Sequence, residues 1–320
     1  MMNEKKNTTK KRKGLDALRG IAIIGIVLYH MFPFSVPGGF LGVPLFFVLS
    51  GYLMFVTSEH SWENGNFHIG SYYKKRIKKI LPPLFTMVMI VCCYLTLTES
   101  SLLIGIRHEI YSIFLGYDNW WQIRHSASYF SKLALASPFT HLWFLAVEIQ
   151  FYILWPILYV LYQKCCQYIS GRKMCFVFLA LALLSAGRMF MLYTPGEDPS
   201  RVYYGTDTMA FPLLIGMFLG AVRQQYKSLS RRVKKNTAAR FVIFFLIVCA
   251  LFVTVDGQSP FLYQGGMFLI SLFFAYLIHM IENQEERTDS LPKPTFLSLL
   301  GNKSYGIYLW HYPLIVLALI

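Results

Sequence analysis

"GLDALRGIAIIGIVLYHMFPF", residues 14–34, offers the roughly 20 apolar residues that a helix needs to cross a hydrocarbon core. It nevertheless carries Arg19 near its start and His30 deep inside. An ionisable side chain in a membrane segment is costly, so such residues face a polar cavity or sit at the ends of the span. At 100° per residue, Arg19 and His30 fall about 20° apart on one helix face and about 16 Å apart along the axis. A cation near one mouth and an imidazole farther in therefore line one stripe. Asp16, three residues before Arg19, is placed to hold the guanidinium. The plainer alternative has Arg19 snorkelling to the interface and His30 among the outer headgroups.

The rest of the chain repeats the membrane signature. Of 320 residues, 55% are hydrophobic and 14% charged, against about a quarter charged in soluble domains. The mean hydropathy is +0.46. Apolar spans fall at about 15–34, 39–57, 80–98, 140–162, 175–192, 207–222, 241–255, 261–280 and 297–319. The short alternating strands of a β-barrel are absent from this pattern. The expected fold is all-α, a polytopic membrane bundle of about nine or ten transmembrane helices. Its organisation is a basic cytoplasmic tail (1–14) followed by one transmembrane domain (15–320), with no extracellular domain. The chain stops at "LWHYPLIVLALI" without a polar cap, which reads as a shortened last helix.

Net charge is +14, concentrated in "KKNTTKKRK" (5–13), "YYKKRIKK" (72–79) and "RQQYKSLSRRVKKNTAAR" (223–240). Clusters between apolar spans follow the positive-inside rule and call for no nucleic-acid partner. With the N-terminus in the cytoplasm, all three lie on that side, provided "SSLLIGIRHEIYSIFLGY" (100–117) does not cross. Arg107, His108 and Glu109 in its middle favour an interfacial or re-entrant helix. Six cysteines lie in or beside membrane spans and lack zinc-like spacing. No carboxylate cluster suits a metal, and P-loop, dinucleotide and nucleophile-elbow motifs are missing.

A second constellation lies in "SPFTHLWFLAVEIQFYILWPIL" (137–158). Glu148 stands well inside the span, and His141, seven residues earlier, falls about 20° off the same face and about 10 Å away. Glu148 either works in a cavity or braces a neighbouring arginine. In "SYGIYLWHYPL" (304–314), His311 lies one turn from Tyr308, and aromatic belts account for Trp310 and Tyr312. Asp207 in "VYYGTDTMAF" (202–211) reads as an N-cap or as another cavity residue.

These blocks resemble the membrane acyltransferase-3 family. "LDALRGIAIIGIVLYH", "PGGFLGVPLFFVLSGYLM", "YYKKRIKKILPPL", "HLWFLAVEIQFYILWP", "YYGTDT" and "LGNKSYGIYLWHYPL" occur in that family's order from Leu15 to Pro313. Within the family the sequence most resembles bacterial peptidoglycan and surface-glycan O-acetyltransferases. The resemblance implies a multi-pass cell-membrane enzyme with a cytoplasmic N-terminus. It would move an acyl group, usually acetyl, from cytoplasmic acetyl-CoA to a glycan hydroxyl beyond the bilayer. Acyl-CoA would be a co-substrate, with no tightly bound cofactor. Arg19 and His30 carry over as the essential pair, with His30 as base or nucleophile and Glu148 as structural or acid–base support. Lys75, Arg76, Lys78 and Lys79 match where the family carries an Arg-x-x-Arg pattern serving the CoA donor. Here Arg76 is the one arginine, and lysine keeps charge without the planar fork. Related sequences often have arginine where Met209 stands. Asp16, His141, Asp207, Tyr308 and His311 complete the cavity candidates.

Two other readings stay open on sequence. Intramembrane His, Glu and Arg also suit a transporter or flippase for a lipid-linked glycan. The chain also reads as an acyl-relay part that needs a separate extracytoplasmic esterase-fold partner, because many relatives continue into such a domain.

Overall fold

The computed structural model describes residues 12–130, 137–226, 237–287 and 295–318. The basic tail before Arg12 and most of the third basic cluster (227–236) lie outside the described residues. Among the described residues every regular element is helical. In chain order these are α1 (Lys13–Met31), α2 (Gly42–Glu63, entered through a 3-10 turn at Gly39–Leu41), α3 (Ile69–Thr98), α4 (Ile106–Leu115) and α5 (Asp118–Arg124). Then come α6 (Trp143–Tyr168), α7 (Gly171–Met174), α8 (Phe176–Leu192), α9 (Ser200–Tyr204), α10 (Thr206–Met209) and α11 (Phe211–Gln225). The last four are α12 (Thr237–Thr254), α13 (Met267–Arg287), α14 (Phe296–Asn302) and α15 (Ser304–Ala318).

Six helical stretches among the described residues are long and apolar enough to cross a bilayer: Lys13–Met31, Gly39–Glu63, Ile69–Thr98, Thr140–Tyr168, Gly171–Leu192 and Leu262–Gln284. The protein is thus a multi-pass, all-α membrane bundle. The three remaining expected spans correspond to α11, α12 and the α14–α15 pair. That last span is two helices: the chain turns at Lys303, and Thr295 starts α14 with a capping box to Ser298. Residues 100–117 hold only the ten-residue α4, bracketed by Gly105 and Gly116 at φ 82° and 75°. Ten residues rise about 15 Å, half of a hydrocarbon core of about 30 Å, so α4 does not cross.

α2 is the most buried of the six, so the other helices pack around it. Backbones approach closely at glycine. A Cβ on Gly51 of α2 would strike the Leu213 carbonyl of α11, and one on Gly216 would strike Val48. Gly20 of α1 and Gly301 of α14 likewise face the backbones of Leu297 and Asp16. That seat brings Asn302 and Ser304 beside Arg19.

The α4–α5 hairpin is held by polar contacts. The Gln150 amide of α6 donates to the Gly116 carbonyl at 2.8 Å and to Asn119 Oδ1 at 2.9 Å. Inside the hairpin, Gln122 Nε2 donates to Glu109 Oε1 at 2.9 Å and Ser112 to Asp118 Oδ1 at 3.0 Å. Burial pushes both carboxyls up, with Glu109 adding to the rise at Asp118. A carboxyl raised in the fold costs stability as pH climbs from its unfolded pKa towards its folded one, and the loss is complete above that. Asp118→Asn removes the charge and keeps the shape. It is expected to raise Tm by roughly 2–4 °C, the shift that about 1 kcal/mol produces. In a thermal scan the gain should be larger at pH 8 than at pH 4.5, and equal gains at both would refute the account.

Candidate functional site

Most of the sequence candidates gather in two adjoining places. The first is a cavity of about 210 Å³ among α1, α2, α3, α6, α14 and α15. Arg19, Ser50, Arg76, Lys79, Glu148, Tyr152, Tyr305 and Tyr308 line it. Glu148 is 9% exposed and accepts a hydrogen bond from the Ser50 hydroxyl. The Arg76 guanidinium lies 4.5 Å from the Tyr152 ring centroid and 5.4 Å from that of Tyr72. Such stacking suits a guanidinium more than an ammonium. Asp16 pairs with Arg19 at 3.1 Å from outside the cavity wall. Tyr305 donates to the Ile80 carbonyl at 2.8 Å, tying α15 to α3. The cavity therefore combines three cations with one carboxylate.

The second place is a cluster of three histidines. The His30 and His311 ring centroids lie 5.4 Å apart, as do those of His141 and His311. Tyr312 sits 4.8 Å from His30 and 5.2 Å from His141, and Tyr129 lies 5.8 Å from His30. His141 and His311 are buried, at 3% and 7% exposure. Among the described residues, both ring nitrogens of His141, and Nε2 of His311, have no hydrogen-bond partner. Buried polar atoms are normally satisfied, so unpartnered nitrogens on neighbouring rings mark a spot for a polar group.

Tyr308 belongs to both places. It lines the cation cavity, its hydroxyl donates to the His141 carbonyl at 2.6 Å, and its ring lies 5.2 Å from the His141 ring. With Phe144, 5.5 Å away, it forms the partition between them. The polar stripe along α1 thus meets two distinct surroundings: Arg19 opens on the cavity, while His30 joins the histidines, about 16 Å farther along the helix.

Three sequence candidates lie elsewhere. Asp207 is not an N-cap, since Gly205 precedes α10 in that position. It pairs with Arg201 at 3.1 Å and Arg188 at 3.3 Å, away from both places. Lys75 and Lys78 are exposed and do not line the cavity. The stretch is helical, so Arg76 and Lys79, three residues apart, fall about 60° from each other, while Lys78 is turned about 100° from Lys79 and Lys75 about 100° from Arg76. Conversely, Ser50, Tyr152 and Tyr129 join the site without having been singled out. Tyr152 had a local signal, one turn after Glu148. Ser50 had none, because it meets Glu148 across 98 residues of chain. Tyr312, read as an interfacial ring, packs between two histidines.

Comparison with known proteins supplies the family. The chain is 40% identical over 311 residues to the protein named "Putative peptidoglycan O-acetyltransferase YrhL" of Bacillus subtilis, covering 95% of this chain and 49% of that one. It is 36% identical over 322 residues to the peptidoglycan O-acetyltransferase OatA of Listeria monocytogenes, covering 98% and 51%. The chain therefore spans about half the length of these curated relatives. No solved structure matches it. Residues 12–318 match the model of the acyltransferase domain of the acyltransferase-3 type, and the chain belongs to the acyltransferase-3 family.

Proposed function

We propose that this chain is the membrane part of an O-acyltransferase. It moves an acyl group, acetyl in the first instance, from cytoplasmic acyl-CoA to a hydroxyl of a cell-wall or surface glycan. The observation that carries this reading is the junction at Tyr308 between a cavity with three cations and a cluster of three imidazoles. The names of the relatives point to the same chemistry, with peptidoglycan as the acceptor to test first.

With the basic segments in the cytoplasm, Arg19, Arg76 and Lys79 stand at the inner end of the bundle, where the several phosphate charges of CoA arrive. Tyr152 and Tyr72 hold the Arg76 fork in place. Glu148, tied to Ser50, keeps the cations apart and limits the net charge of the cavity. The thioester arm then passes Tyr308 to reach the histidines. There His30 acts as base or nucleophile: a neutral imidazole takes the acceptor hydroxyl's proton or receives the acyl group itself. For a wall acceptor, an extracytoplasmic esterase-fold partner completes delivery.

The test is reconstitution of the full chain in lipid vesicles with radiolabelled acetyl-CoA and glycan fragments, alongside mass spectrometry of wall glycans with and without the gene. Label in an O-acetyl ester and loss of O-acetyl muramic acid in the deletion support the reading. Movement of a lipid-linked glycan that needs no acyl donor would replace it with transport.

A further inference from the structure

We propose that His311 is a second catalytic imidazole, the group that takes the proton from the acceptor hydroxyl, through Nε2. The inference rests on the acyl-transfer reading and divides its chemistry between two histidines.

His311 Nδ1 lies 2.7 Å from the Tyr308 carbonyl oxygen, one turn earlier on α15. A carbonyl oxygen can only accept, so Nδ1 carries the hydrogen and the neutral ring keeps its lone pair on Nε2. That Nε2 is buried and has no partner among the described residues. The ring is therefore oriented by its own backbone, and it sits between His30 and His141, each 5.4 Å away between centroids. A base held by one nitrogen and free at the other is the arrangement that general-base catalysis needs.

The other two rings lack this lock. His30 makes ring contacts with Tyr29, Tyr129 and Tyr312, and no hydrogen bond among the described residues fixes which of its nitrogens carries the proton. Both nitrogens of His141 are unpartnered among the described residues, and its carbonyl is held by the Tyr308 hydroxyl. Tyr308 thus positions two histidines at once: His311 through its main-chain oxygen and the His141 turn through its phenol.

The roles then divide. An imidazole nitrogen of His30 attacks the thioester carbonyl, a C–N bond forms, the C–S bond breaks, and the thiolate leaves with the electron pair. The acceptor oxygen next attacks the acyl carbon, a C–O bond forms, the C–N bond breaks, and its electron pair returns to the His30 ring. The hydroxyl proton passes to His311 Nε2 and from there to the thiolate or to water. The sum is thioester plus alcohol giving ester plus thiol, with no further reactant.

The experiment uses the full chain in vesicles, following thiol release and ester formation separately, with His311→Gln and His311→Ala compared at matched expression and Tm. Both variants are expected to lose ester formation by about 10²–10⁴-fold, the range for a positioned base. Thiol release in the first turnover and the KM for acetyl-CoA should stay within threefold of wild type. The acidic limb of the pH–rate profile should flatten, and added imidazole should partly restore His311→Ala. Ester formation within threefold of wild type in both variants overturns the assignment, as does a parallel loss of thiol release and donor binding. A folded wild-type chain that forms no ester from any acyl-CoA overturns the acyl-transfer reading itself, and is told apart because it involves no variant.

Discussion

Replacing His30 with alanine is expected to abolish acyl transfer, with a fall of roughly 10³-fold or more, towards the upper end for loss of a positioned imidazole. The ring stands where α1 meets α15, with His311 at 5.4 Å and Tyr312 at 4.8 Å. If it receives the acyl group, its removal stops thiol release as well as ester formation. That separates it from His311, whose loss should stop ester formation alone. Alanine also leaves a hole among Tyr29, Tyr129 and Tyr312, so His30→Phe is the necessary companion. Phenylalanine fills the aromatic box and supplies no lone pair. Both variants should be inactive, the second with a Tm near wild type, and both should bind acetyl-CoA, because Arg76 and Glu148 lie in the separate cavity. Retained transfer in folded His30→Phe would remove His30 from the chemistry.

How far the sequence could reach is visible at individual residues. Hydropathy placed the membrane segments because a bilayer demands a long apolar run whatever the packing. It could not place helix ends, because backbone hydrogen bonding does not stop at the hydrocarbon edge: α3 begins at Ile69, eleven residues before the apolar run expected from position 80. That error hid the phase of the basic segment. Sequence alone offers Lys75, Arg76, Lys78 and Lys79 together, whereas packing of the helix brings Arg76 and Lys79 to the cavity and leaves the other two outside it. The pairing of Asp16 with Arg19 was legible because it is local. Contacts such as Ser50 with Glu148, or Tyr308 with the His141 carbonyl, join helices far apart in the chain. Periodicity says which face is polar, but not which partner that face will meet.

The cation cavity gives the second large expected effect. Arg76→Ala should raise the KM for acetyl-CoA by about 10–100-fold, corresponding to loss of a charge-assisted contact of about 1.5–3 kcal/mol. The kcat should change little, because a group that holds donor and transition state equally contributes uniform binding. Arg76→Lys tests the geometry: it keeps the charge and gives up the stack on Tyr152 and the planar fork, so its KM should lie between the other two. Lys79→Arg tests the converse. Residue 79 stands three positions on, facing the same cavity, and a second fork there should lower KM. The competing account makes Arg76 a brace for Glu148, and it has a different signature. A brace lost from one side leaves a buried carboxylate uncompensated, which lowers Tm and is relieved when Glu148→Gln is added. A donor-binding arginine, by contrast, shows a raised KM that the second substitution does not repair. The double variant therefore decides between holding a substrate and holding the fold, because only one of those debts is cancelled by removing the carboxylate's charge.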